Sequence, residues 1–148
     1  MVMIIYVGKN NYQNEELTFK FATGNDWWFH AKGAPGSHVI VKAGQGLPPD
    51  RTFEEAARLA AWYSSHRGAD KVEVDYVEKK QVKKVNGGKP GFVIYHTNYS
   101  MVIDSDISGI RQVKEKITQK KEALLHSYYA SVLLFPKNSN GILIRNGR

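Results

Sequence analysis

The stretch Asp26–Ala43, DWWFHAKGAPGSHVIVKA, leaves the chain few ways to fold. Two runs rich in β-branched and aromatic residues flank Gly33-Ala34-Pro35-Gly36, which reads as a turn between strands. Side chains alternate across a strand, so Trp27, Phe29 and Ala31 share one side while Asp26, Trp28, His30 and Lys32 share the other. In the second run Val39, Val41 and Ala43 oppose His38, Ile40 and Lys42. A hairpin centred on Ala34 sets His30 opposite His38 and Asp26 opposite Lys42. It also brings the two apolar sets onto one face, as a core requires.

The other face then collects Trp28, His30, Lys32, His38 and Lys42, which leaves two readings of Trp28. On one, Trp27 is core and Trp28 is an open platform on which an unpaired base stacks. On the other, a second helix covers this face and Trp28 is buried, since both faces of a sheet are often covered. The Pro35-Gly36-Ser37 turn offers backbone amides and a hydroxyl to a phosphate.

Met3–Val7 reads as a first strand, Gly8–Glu16 as an Asn-rich loop and Leu17–Ala22 as a strand. Thr52-Phe53-Glu54-Glu55 is a capping box, and Phe53, Ala56, Ala57, Ala60 and Tyr63 recur at helical spacing to about Gly68. Val72, Val74 and Tyr76 share one face of the next strand. Asn86-Gly87-Gly88 is turn chemistry, and Phe92–His96 with Met101–Asp104 reads as a closing hairpin. A charged helical pattern covers Ile110–Ala130, and the remaining tail reads either as a strand pair or as an extension without a core. The order predicts an α+β fold: a mostly antiparallel sheet, one well-capped helix packed on it, and a C-terminal helix. The expected division is a domain over 1–113 and a C-terminal helical extension with a tail over 114–148.

With 148 residues the chain suits a single domain. It has no cysteine, which excludes disulfides and thiolate metal sites and makes a reducing, cytoplasmic setting the default. No apolar run reaches the ~20 residues that span a bilayer, and the first residues lack a basic leader and cleavage site. Lysine and arginine number 21 against 14 acidic residues, a net charge of +7 that favours polyanionic partners. Lys79, Lys80, Lys83, Lys84 and Lys89 concentrate that charge, as a phosphate-binding field or as a solvated sheet edge. Lys9, Asn10, Asn11, Gln13 and Asn14 form a weaker polar cluster that suits base edges or simple turns.

His30, His38 and Asp26 invite a metal, but no HxH or HxxxH spacing supports one, and no metal or other cofactor is expected. A hydrolase built on Ser37, His38 and Asp26 has no GxSxG context, and no catalytic residue is assigned.

The segments VGKNNYQNEELTFK, DWWFHAKGAPGSHVIVK, EEAARLAAWYSS and VEVDYVEKKQVKKVNGGKPGFVIYH together resemble the NFACT-R domain. This is the C-terminal RNA-binding module of the NFACT proteins, long labelled fibronectin-binding protein A-like. The resemblance covers about Ile5 to Val113. It implies a ribosome-associated quality-control role, with tRNA or the large ribosomal subunit as partner, acting on stalled nascent chains. The family's characteristic positions fall on Asp26, Trp28, His30, Lys32, Pro35, Gly36, Ser37 and His38, and on Val82, Lys83, Lys84, Gly88, Lys89, Pro90 and Gly91. The family's N-terminal domain, helix-hairpin-helix and coiled coil have no counterpart here, so the other domains of a longer parent are possible partners. The expectation is a non-enzymatic RNA-binding module with no membrane partner. The rivals are an adhesion module for an extracellular matrix protein such as fibronectin, an RNA-acting enzyme built on the His/Asp cluster, and a basic face for acidic protein or duplex DNA.

Overall fold

The computed structural model describes residues 4–43, 46–110 and the backbone of 133–134. In chain order the elements are β1 (Ile4–Val7), α1 (Asn11–Glu16), a π-helical continuation (Leu17–Phe21), β2 (Trp27–Ala31), β3 (Val39–Lys42) and α2 (Asp50–Trp62). There follow β4 (Val72–Glu78), a 3-10 turn (Lys79–Gln81), β5 (Val82–Lys84), β6 (Val93–Tyr95), β7 (Tyr99–Ile103) and β8 (Leu133–Leu134). The main sheet runs β7-β4-β2-β3-β1-β8, every pairing antiparallel, and β5 with β6 forms a separate antiparallel ribbon. The fold is therefore α+β with an antiparallel sheet, as expected; the predicted helix over Ile110–Ala130 lies outside the described residues apart from Ile110 itself.

The central hairpin adopts the register that alternation predicts, with Trp27, Trp28 and Phe29 opposite Val41, Ile40 and Val39. One face of the sheet carries Ile5, Val7, Phe29, Val39, Val41, Val72 and Val74. The alanines and Leu59 of α2 seal it, and Ala56, Ala57, Ala60 and Ala61 have no exposed surface. Small side chains let the helix axis approach the sheet closely, which is why a modest helix closes so wide a face.

The opposite face is also closed. Tyr6, Trp28, Ile40 and Val77 meet Leu17 and Ala22 from the segment after β1 and Val82 from the ribbon. Phe19, Phe21, Val93 and Tyr95 pack around them. This overturns the open-platform reading: Trp28 is fully buried, and Trp27 is the member of the pair that keeps some exposure while packing on the helix-covered core. Trp27 packs edge-on against Phe53 of α2 at 5.0 Å and extends to Tyr76 and Tyr99.

Four local expectations are corrected. Gly8–Glu16 is not a loop: the Asn10 carboxamide accepts the Gln13 amide at 2.9 Å and starts α1, while the Gln13 side chain accepts the Lys9 amide at 2.9 Å. Leu17–Ala22 continues that helix instead of forming a strand, because Leu17 and Phe19 serve the cover over Trp28. α2 begins at Asp50 behind Pro49, two residues ahead of Thr52, with the Asp50 carboxylate in the first turn where the helix dipole favours it. Finally, β6 and β7 do not form a hairpin. β6 joins β5 over one face of the sheet, whereas β7 extends the sheet beside β4 and gives Met101 and Ile103 to the other face.

Candidate nucleic-acid interface

The hairpin register places His30 and His38 as neighbours, their ring centroids 5.7 Å apart and nearly perpendicular. His38 is buried, and its Nδ1 lies 2.8 Å from the Thr18 hydroxyl. Burial, with the adjacent His30 ring, pushes its pKa down to about 3, although backbone hydrogen bonds to Gly91 and Asn14 pull the other way. His30 is shifted down as well, first by burial, against hydrogen bonds to the backbone of Ala31 and Gly36 and the charge of Asp75. Both imidazoles are therefore neutral near pH 7.

Trp28 forms the floor beneath them. Its indole lies parallel to the His30 ring and meets His38 edge-on at 5.2 Å and Tyr95 at 4.8 Å. Its Nε1–H is buried with no acceptor among the described residues. Above the floor opens a cavity of about 470 Å³ walled by His30, Pro35 and Gly36 on one side and by Gly91, Phe92 and Tyr95 of the ribbon on the other. No lysine, arginine, aspartate or glutamate among the described residues lines it. Phe92 is the most open aromatic of this wall at 53% exposure.

A second cavity, also about 470 Å³, lies across the Pro35-Gly36 turn. Asn11, Asn14, Pro35 and Gly36 line both. This one is polar: Lys9, Arg67, Ser37, Ser64 and Ser65 contribute to it, and no carboxylate among the described residues does. The Arg67 guanidinium stacks 4.5 Å over Trp62 while its Nε donates to the Trp62 carbonyl at 3.0 Å. Such stacking fixes the plane of the guanidinium and leaves its terminal N–H groups to be used.

The turn between the cavities is bolted to the end of α2. The Ser37 amide donates to the Tyr63 carbonyl at 2.8 Å and the Ser65 amide to the Pro35 carbonyl at 3.0 Å. The expectation that this turn presents its amides to a phosphate is thus corrected for Ser37, whose amide is already used. Gly36 permits the approach, since a Cβ there would meet the Ser64 Cβ at 2.9 Å.

Asp26 is not part of an open face. Its buried carboxylate accepts from Lys42 at 2.7 Å, from the Thr23 amide at 2.8 Å and from the Ala43 amide at 3.1 Å. Lys32 is exposed just past the end of β2, 3.5 Å from both Glu73 and Asp75. Asp75 in turn accepts the Tyr95 hydroxyl and the Ser100 hydroxyl, each at 2.7 Å. Burial and that bond to Asp75 raise the Tyr95 phenol well above its ordinary range. Among the described residues no three His, Asp or Glu side chains come together as a metal would require.

The lysine cluster assembles on the ribbon and its entry. Lys79 and Lys84 approach the Phe19 ring at 5.5 and 5.8 Å, and Lys80 pairs with Glu78 at 3.6 Å. Glu15 of α1 binds Lys84 and also accepts the Gly91 amide at 2.9 Å, which fastens the ribbon to the helix. Lys83 and Lys89 are exposed and pair with no carboxylate among the described residues. Sequence reasoning missed Phe92, Tyr95 and Arg67, while Asn11 and Asn14 belong to the weaker polar cluster it had singled out. Asn10-Asn11-Tyr12-Gln13 carried the capping signal that places Asn14, whereas nothing local points Phe92 and Tyr95 toward Trp28.

No helix among the described residues is long and apolar enough to cross a membrane. Residues 1–97 match the family model described as the NFACT protein RNA binding domain. The chain is 47% identical over 112 residues to the Rqc2 homolog RqcH of Streptococcus pneumoniae, and 41% identical over 113 residues to that of Bacillus subtilis. Each alignment covers 76% of this chain but only 20% of the relative, so the chain spans a fifth of their length. Among solved structures, the C-terminal part of the fibronectin/fibrinogen-binding protein from Streptococcus suis superposes with a TM-score of 0.67 at 46% identity, covering 70% of this chain and 41% of that one. With its hairpin register, histidine pair and lysine ribbon in place, the chain belongs to the family of NFACT RNA-binding domains.

Proposed function

We propose that this chain is a non-enzymatic RNA-binding module of a ribosome-associated quality-control factor, acting in the cytoplasm on tRNA or large-subunit ribosomal RNA at stalled nascent chains. The observation that carries the reading is the ribbon. The ribbon and the turn that enters it hold Lys80, Lys83, Lys84 and Lys89 exposed, and the same ribbon supplies Phe92 and Tyr95 to the wall of a cavity. These lysines, with Lys79 behind them, attract phosphate without reading sequence. His30, Pro35 and Gly36 form the opposite wall, with the exposed Lys32 just past the end of β2. Trp28 and His38 line the cavity, Ser37 lines the neighbouring one, and Asp26 holds the other end of the hairpin together through Lys42 and the Ala43 amide. The non-enzymatic part rests on how those groups are engaged: Asp26 is held by Lys42 and two amides, and His38 by Thr18. The Thr18 hydroxyl that His38 meets is itself fully buried, so it is out of a substrate's reach as a nucleophile.

The test is RNA affinity across a salt series. Log K falls by about 0.7–0.9 per phosphate neutralised, and Lys83→Glu with Lys89→Glu weakens binding and lowers the slope by about one unit per lysine. The Streptococcus suis relative is a fibronectin/fibrinogen-binding protein, which makes those two proteins the comparison ligands. Retention on immobilised fibronectin without RNA binding, or a flat salt response, overturns the RNA reading.

A further inference from the structure

We propose that the two cavities flanking the Pro35-Gly36 turn form one nucleotide site, in which an unpaired base of single-stranded RNA enters the aromatic cavity and its phosphate lies in the cationic one. The inference rests on the RNA-binding reading and adds the place where one nucleotide leaves its neighbours' stack.

Three observations meet here. The cavities share Asn11, Asn14, Pro35 and Gly36 as a common wall, so a single bound unit can occupy both. Their chemistry divides as a nucleotide's does. The first holds aromatic rings and imidazoles with no formally charged side chain among the described residues, and the second holds Lys9 and Arg67 with three serines and no carboxylate. A planar heterocycle suits the first and would gain little in the second, where a phosphate gains most. The dividing turn is also rigid, tied to α2 through Ser37 and Ser65, so the compartments keep a fixed spacing.

Each cavity is large enough for its share, since ligand sites run from about 300 to 1,000 Å³. Phe92 supplies the accessible ring for stacking, with Tyr95 and His30 deeper in the wall. Lys9 and Arg67 lie away from the lysine ribbon in sequence and answer to a different need. The ribbon draws in the backbone at large, whereas these two hold one phosphate against an aromatic bed formed by Tyr63 and Trp62.

The experiment uses the whole chain with a single-stranded RNA tetranucleotide of mixed sequence, the same oligonucleotide with one abasic residue, and free nucleoside monophosphates. The readouts are affinity and the Trp28 indole N–H resonance, which sits in the cavity floor. The expected result is a shift of that resonance by the intact oligonucleotide only, and an affinity loss of about tenfold for the abasic form. Phe92→Ala and Arg67→Ala each weaken binding severalfold; both residues are exposed, and circular dichroism checks that the fold stands. RNA binding that depends on Lys83 and Lys89 but is indifferent to the abasic site, Phe92 and Arg67 overturns the nucleotide site while leaving the RNA reading intact. Nucleoside monophosphates binding as tightly as the oligonucleotide overturn it in favour of a free-nucleotide pocket. No RNA binding at all removes both.

Discussion

The His30 imidazole lies over the Trp28 indole with 8° between the planes and 5.6 Å between centroids. This pairing makes Trp28 a structural floor rather than an exposed stacking surface. Trp28→Ala should therefore cost about 3–5 kcal/mol of stability, and Trp27→Ala, at a position only partly buried, about 2 kcal/mol. Urea unfolding of the two variants checks the order, and equal or reversed losses would refute it.

Acid should destabilise the protein through the histidine pair. His38 titrates near its ordinary value when unfolded and at about 3 when folded, so the unfolded chain binds more protons between those limits. The contribution is fully present above the unfolded pKa and is lost as pH falls toward the folded one. From pH 7 to pH 5 this amounts to roughly 2 kcal/mol, with His30 adding loss in the same direction. His38→Gln should flatten the profile in a pH series of unfolding curves.

Asp26 and Lys42 should be strongly coupled. Removing the carboxylate strands two amides and an ammonium; removing the ammonium leaves a buried carboxylate without its counter-charge. Asp26→Ala and Lys42→Met should each cost about 3–5 kcal/mol, and the double variant clearly less than their sum. A double-mutant cycle measures this, and simple additivity would show that the pair does not act as a unit.

Gly36→Ala should prise the turn from α2. The new Cβ meets Ser64 at 2.9 Å and the Tyr63 carbonyl at 3.2 Å, so backbone must yield. The expected loss is about 1–3 kcal/mol, with amide shifts at Ser37 and Ser65 as the local sign. An unperturbed spectrum would contradict the close fit.

The central hairpin was legible because two apolar sets of period two can meet in only one register, and the Asp26–Lys42 and His30–His38 neighbours followed from it. What covers the second face was not legible. Leu17 and Phe19 sit at spacings that fit a strand as well as a helix, and their choice is made by the indole they cover. Tyr95 reaches Trp28, and Phe92 the cavity above it, from far along the chain, by a crossover that no local pattern announces. The lysine cluster was visible as charge, but which lysines are neutralised depended on Glu15 and Glu78, whose positions the fold decides. Arg67 looked like a helix terminus and gains its second meaning only beside Lys9.

Glu15 grips the ribbon through both the Gly91 amide and Lys84. Cations on a dangling arm would have to surrender their wandering at each encounter with a polyanion. Here the backbone that carries them is immobilised once, during folding, so later meetings start from a surface already set.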